Sequence, residues 1–203
     1  KGMPEWILVN AIDASPHDRA TAYVAATMYK WDDFRPYLFK TSDSGKTWTK
    51  IVTGIPDRCF TRNVREDPGR KVLLYAGTEH GVWVSSDAGD SWQPLSLNLP
   101  DTQVSDLVVE AHDLVAGTHG RSFWILDDID VLRQPPPNQD AVTLFAPRPS
   151  LRSVDTAVID YYLPREAESV TIEILDGGGR VVRRLAGSKD EDERVKAANE
   201  RAE

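Results

Sequence analysis

Two carboxylates and a guanidinium stand close together in Trp31-Asp32-Asp33-Phe34-Arg35, flanked by two aromatic rings. A carboxylate pair can cleave a glycosidic bond, one group as acid and the other as base or nucleophile. The aromatic faces suit the apolar side of a sugar ring. Asp32, Asp33 and Arg35 are therefore the candidate catalytic set, and Trp31 is a candidate ligand contact. Arg62, Arg65, His80, His119 and Arg121 are further candidates for ligand binding. Each has a plainer reading. Asp32, Asp33 and Arg35 can form a solvated loop tip, Arg62 and Arg65 can pair with acids of neighbouring sheets, and His80 and His119 can be turn residues. His17 and His112 show no partner pattern. Gly45-Lys46-Thr47 is not the end of a phosphate-binding loop, because Lys40 stands where the first glycine is required. No spacing of His, Asp or Glu fits a zinc or calcium site, so neither metal nor cofactor is expected.

These side chains need strands and turns to position them. Short β-branched and aromatic segments are predicted at 8–12, 22–27, 37–41, 47–51, 61–65, 72–77, 82–85, 91–95, 106–110, 114–117 and 122–126. Arg62 and Arg65 fall on one of them. A repeat overlies the pattern. Thr41-Ser42-Asp43-Ser44-Gly45-Lys46-Thr47-Trp48 matches Ser85-Ser86-Asp87-Ala88-Gly89-Asp90-Ser91-Trp92, with aspartates 87 − 43 = 44 residues apart. The flanks agree too, Ser15-Pro16 with Asp67-Pro68 and Tyr23–Thr27 with Leu74–Thr78. An eroded third copy runs from Leu114 to Asp127 without the box glycine and closing tryptophan. Four strands in roughly 40–50 residues are the signature of a propeller blade.

Within each octapeptide the aspartate (Asp43, Asp87) can accept hydrogen bonds from amides further along its own turn. The glycine (Gly45, Gly89) can take the left-handed conformation, and the tryptophan (Trp48, Trp92) can bury its ring beneath the turn. The octapeptides thus read as structural devices closing the hairpin between third and fourth strands. The repeat ends near Arg133. Pro135-Pro136-Pro137 within 134–141 favours a stiff linker. Strands follow at 142–145, 157–163, 170–175 and 181–185, the last two joined by an Asp176-Gly177-Gly178-Gly179 hairpin turn. Residues 188–203 are highly charged and are expected to be a disordered tail or a solvated helix.

The octapeptides, with Val64-Arg65-Glu66-Asp67-Pro68 and Thr118-His119-Gly120-Arg121-Ser122-Phe123-Trp124, resemble the Asp-box (BNR-repeat) propellers of sialidases, xyloglucanases, sortilin-type receptors and photosystem-assembly proteins. The longer stretches are similar to large bacterial proteins described as "glycosyl hydrolase" or "sortilin-like". That resemblance implies an all-β chain: about three last blades of an Asp-box propeller in 1–133, then part of an Ig-like β-sandwich in 142–187.

The chain of 203 residues carries a net charge of −8, which disfavours nucleic acid as a partner. No apolar run is long enough to span a membrane. One cysteine, Cys59, allows no internal disulfide. The chain opens at Lys1, so the natural start and any export signal are expected to lie upstream. The resemblance implies an exported protein. Its expected role is to bind a peptide or carbohydrate, or to act as an interaction scaffold. The alternative is a glycoside hydrolase whose carboxylates lie partly in blades outside this chain, because a fold does not fix an activity.

Overall fold

The computed structural model describes residues 1–150 and 158–188. They divide into two compact units, Lys1–Pro136 and the chain from Pro137 onward. The fold is all-β, with helix confined among the described residues to single 3-10 turns at Tyr29–Trp31 and Ile129–Val131.

The first unit contains three antiparallel meanders of the propeller-blade type. Sheet one joins β1 (Leu8–Ala14), β2 (Ala22–Met28), β3 (Asp33–Thr41) and β4 (Thr49–Lys50) in sequential order. Sheet two repeats this with β5 (Thr61–Glu66), β6 (Leu74–Thr78), β7 (Gly81–Ser85) and β8 (Gln93–Pro94). Sheet three has β9 (Val104–Val109), β10 (Leu114–Thr118) and β11 (Phe123–Leu126). The fourth strands are shorter than the sequence pattern predicts, because the preceding turn holds the backbone until Thr49 and Gln93. Strand β3 instead starts earlier than predicted, at Asp33, paired with Met28 across a bulge.

Side-chain alternation sets the packing. Tyr23 and Ala25 face sheet two, where they meet Val64, Leu74, Ala76 and Trp92. Val24 and Ala26 face the other way with Tyr37 and Phe39, covered by Met3 and Ile7. Leu73 and Tyr75 point toward sheet three and pack on Val104, Leu107 and Ile129. Small residues let the sheets approach: a Cβ on Gly77 would lie 2.9 Å from Val104 and 2.5 Å from Asn63.

Both octapeptides form the turn their spacing predicts. Asp43 accepts the Thr47 amide (2.9 Å) and hydroxyl (2.6 Å), and Asp87 does the same for Ser91 (2.9 and 2.5 Å). The Gly45 and Gly89 amides donate to the Thr41 and Ser85 hydroxyls. Left-handed backbone extends over two residues, Ser44-Gly45 and Ala88-Gly89. The tryptophans differ from the expectation. Trp92 is buried in the core between sheets one and two and donates its indole N–H to the Ile51 carbonyl (2.9 Å). Trp48 is half-buried and donates to its own turn at Gly45.

A second repeated contact ties each box tryptophan to the segment before the sheet. The Trp92 amide donates to Thr53 and the Trp48 amide to Lys1, both at 2.9 Å. Thr53-Gly54-Ile55-Pro56 and Lys1-Gly2-Met3-Pro4 occupy equivalent places. Gly54 and Gly2 have φ of +98° and +106°, and a Cβ there would lie 2.4 and 2.2 Å from the Trp92 and Trp48 carbonyl oxygens.

After β11 the chain turns back onto sheet two. Asp67 has no exposed surface. Its carboxylate accepts Arg133 Nε (3.0 and 3.1 Å), the Tyr75 hydroxyl, and the Gly69 and Arg70 amides. Arg70 in turn donates to the Leu132 and Gln134 carbonyls. His17 does have a partner, donating from Nε2 to the Asp67 carbonyl, and His112 Nδ1 lies 2.7 Å from Asp130.

In the second unit β12 (Thr143–Leu144) pairs with β13 (Tyr161–Tyr162), and β14 (Ser169–Leu175) pairs with β15 (Val181–Ser188). The strand predicted at 157–163 thus contributes two residues. Between β14 and β15, Asp176 accepts the Gly178 and Arg180 amides and Gly179 has φ +81°. The expected charged tail lies, apart from Ser188, outside the described residues.

Candidate functional site

Strand register separates the two ends of each sheet. In sheet one Met28 pairs with Asp33, while Ala22 pairs with Thr41 at the octapeptide. In sheet two Thr78 pairs with Gly81, while Leu74 pairs with Ser85. The boxes therefore occupy one end, and the loops bearing Trp31, Asp32 and His80 the other. Arg62 opens β5 at that second end, where the His119–Arg121 loop also lies. Arg65 sits nearer the boxes.

Contacts link the loops of the three sheets along this rim. The Tyr29 ring stacks on Phe60 (5.6 Å between centroids), and the Arg62 guanidinium covers both at 5.1 and 4.9 Å. Arg62 also donates to Gln103, whose carbonyl receives the His119 amide. His80 Nδ1 lies 2.9 Å from Asp101. Arg62 Nε and Glu79 Oε2 are buried without a hydrogen-bond partner. Such atoms are usually satisfied by water or ligand.

On the first blade Asp32, Asp33, Phe34 and Arg35 line an open cleft of about 530 Å³, closed on its other side by Asp57 and Arg58. Tyr29–Trp31 form the 3-10 turn, and Asp32 ends it in a left-handed conformation (φ +60°). Asp33 is on the strand, where residues two apart share a face. Its Oδ1 accepts Arg35 Nε (3.0 Å) and the Arg35 amide, while Oδ2 accepts Arg35 Nη2 and the Tyr37 hydroxyl, both at 2.7 Å. The Arg35 hydrogen bonds hold the Asp33 carboxyl well below the usual range. Asp33 is thus held ionised and cannot serve as a proton donor. Asp32, exposed, and Asp57 are the cleft carboxylates outside this clasp. Asp57 and Arg58 come from the segment between β4 and β5, which the sequence pattern left as an unmarked turn.

The Arg65 guanidinium is engaged elsewhere. It meets Asp106 at 2.9 Å, the Leu107 carbonyl at 2.9 Å and Asp13 at 3.9 Å, joining the inner strands of all three sheets. No side-chain interaction is made by Arg121 among the described residues, although its carbonyl accepts the Trp124 indole. No group of three His, Cys, Asp or Glu among the described residues is placed to hold a metal ion. No helix among them is long and apolar enough to cross a membrane.

No family model matches the chain. It is similar to a xyloglucanase of Paenibacillus sp, 30% identical over 131 residues, 59% of this chain and 12% of the relative. It is also similar to a xyloglucanase of Hypocrea jecorina (strain QM6a), 28% identical over 98 residues, 43% of this chain and 12% of the relative. The chain therefore spans only about an eighth of the curated relatives it matches. Among solved structures, the GH74 xyloglucanase from Xanthomonas campestris aligns with a TM-score of 0.49 at 18% identity, covering 66% of this chain and 25% of that one.

Proposed function

We propose that these blades form the polysaccharide-binding side of a glycoside hydrolase-type Asp-box propeller acting on a β-glucan such as xyloglucan. The observation that carries the reading is the cleft beside the Tyr29–Trp31 turn, which presents Phe34, Arg35, Arg58 and carboxylates together on an open rim. Its size and openness suit a segment of an extended chain, with Asp32 and Asp57 accepting sugar hydroxyls and Phe34 packing on a ring face. Trp31, Arg62, His80, His119 and Arg121 extend the same rim across the next blades. The two xyloglucanase relatives support the substrate class. Because Asp33 is clasped by Arg35, the reacting pair is completed outside this cleft, in parts of the protein beyond this chain. In this reading the protein acts outside the cell, and 142–187 begin an Ig-like spacer.

The second reading, a propeller that binds a glycan or peptide without turnover in the sortilin manner, is favoured by that same Asp33 clasp. Reducing-sugar release from tamarind xyloglucan, measured on the full-length protein, separates the two. Turnover that falls in Phe34→Ala and Arg35→Ala through a raised KM is the expected result. Binding that those variants weaken, with no turnover in the wild type, supports the second reading. Neither turnover nor binding would overturn both.

A further inference from the structure

Trp6 and Trp31 are 81% and 64% exposed, whereas the remaining tryptophans are buried or half-buried. Burying an indole is strongly favourable, so two left in water on one groove call for a reason. Both line an open groove of about 250 Å³ on the far flank of the Tyr29–Trp31 turn, with Leu8, Tyr29 and Lys30 among its walls. Neither indole stacks on another ring among the described residues. Trp6 is also held at φ +61°, a left-handed conformation that a bulky side chain rarely adopts. Strain of this kind is typical of sites where a side chain must be presented.

We propose that Trp6 and Trp31 form a stacking platform for one neutral hexosyl unit of a glycan chain, adjoining the charged cleft across the Tyr29–Trp31 turn. This deepens the polysaccharide reading above and rests on it for the identity of the chain. Charge selects the occupant. Lys30 is the only charged side chain lining the groove, so an aromatic cage for a cation is disfavoured. The chain's net charge of −8 disfavours a polyanion. The groove is smaller than the roughly 300–1,000 Å³ of pockets that engulf an apolar ligand. A pyranose, apolar on its face and polar at its edge, matches flat indoles beside hydroxyl-binding side chains. The same loop presents Trp31 to one groove and Asp32 to the other, so a single glycan chain can cross it.

Affinity electrophoresis of the full chain through gels containing hydroxyethyl cellulose, dextran or polygalacturonate tests this. Retardation by hydroxyethyl cellulose should weaken about tenfold in Trp6→Ala and in Trp31→Ala, each of which loses one stacking face. Trp31→Tyr should retain part of it, and polygalacturonate should retard none of these proteins. Because both rings are exposed, thermal midpoints should not fall. If the tryptophan variants leave retardation intact while Phe34→Ala and Arg35→Ala abolish it, the platform is refuted and the charged cleft stands. If only the tryptophan variants abolish it, the platform stands and the cleft reading fails. A wild type that no neutral glucan retards sinks both. A concentration-dependent dimer abolished by Trp6→Ala would make the groove a contact between copies and overturn the proposal.

Discussion

Asp67 is wholly enclosed, and Arg133 meets it with a side chain only 15% exposed. Removing one member of such a pair leaves the other charge without compensation. Asp67→Ala should therefore cost about 3–5 kcal/mol, read as a lower urea midpoint, and an unchanged midpoint would show that the cluster does not hold the chain end. The sequence marked Asp67 only as a flank of the repeat, and its partner lies 66 positions away, where no local pattern can point to it. Asp33 is different. Its pairing with Arg35 follows from strand alternation, but only once the segment is recognised as strand rather than loop tip. At Asp43, hydrogen bonds led by the Thr47 hydroxyl bring the carboxyl down to about 2. An unfolded aspartate titrates near ~3.9. A lowered folded value stabilises above the unfolded value and is lost as pH falls from about 4 toward 2. The difference in thermal midpoint between the wild type and Asp43→Asn should accordingly shrink over that interval. A difference that does not change with pH would count against the turn's dependence on the ionised carboxylate.

The two octapeptide turns are nearly superimposable in hydrogen bonding, yet their tryptophans carry different loads. Trp92→Ala should cost roughly 3–5 kcal/mol, as for a buried aromatic, and Trp48→Ala clearly less, because its ring is half-buried. Equal losses in paired denaturation curves would contradict the packing. The turns were legible because every partner lies within eight residues in the sequence. The fourth strands were overestimated for the same local reason: Ser91–Leu95 has the composition of a strand, but the ring of Trp92 is used across the sheet interface and leaves only Gln93 and Pro94 to pair. The contribution of Asp57 and Arg58 to the cleft was invisible, since it depends on how the β4–β5 connection passes the preceding blade's turn.

Across the first unit, the 44-residue spacing revealed stacked, similar sheets, and the structure supplies what that spacing cannot: which faces are covered. Outermost in its sheet, β11 carries Phe123 and Ile125 at 80% and 59% exposure. Unpaired edges with exposed apolar side chains promote association between chains. Ile125→Lys should reduce concentration-dependent light scattering of this chain, and scattering that persists unchanged would direct attention away from this edge.

The contact between each box tryptophan and the glycine-containing segment ahead of its sheet has a practical consequence. A shortened chain starting at Leu8 would keep every strand of the first sheet. It would nevertheless strip the acceptor from the Trp48 amide and uncover Phe39 and Tyr37, which Met3 and Ile7 shield. The module that can be cut out, grafted or duplicated is therefore phased several residues ahead of the sheet that the eye picks out. Its natural joint falls before Gly2 and Gly54 rather than at the first strand.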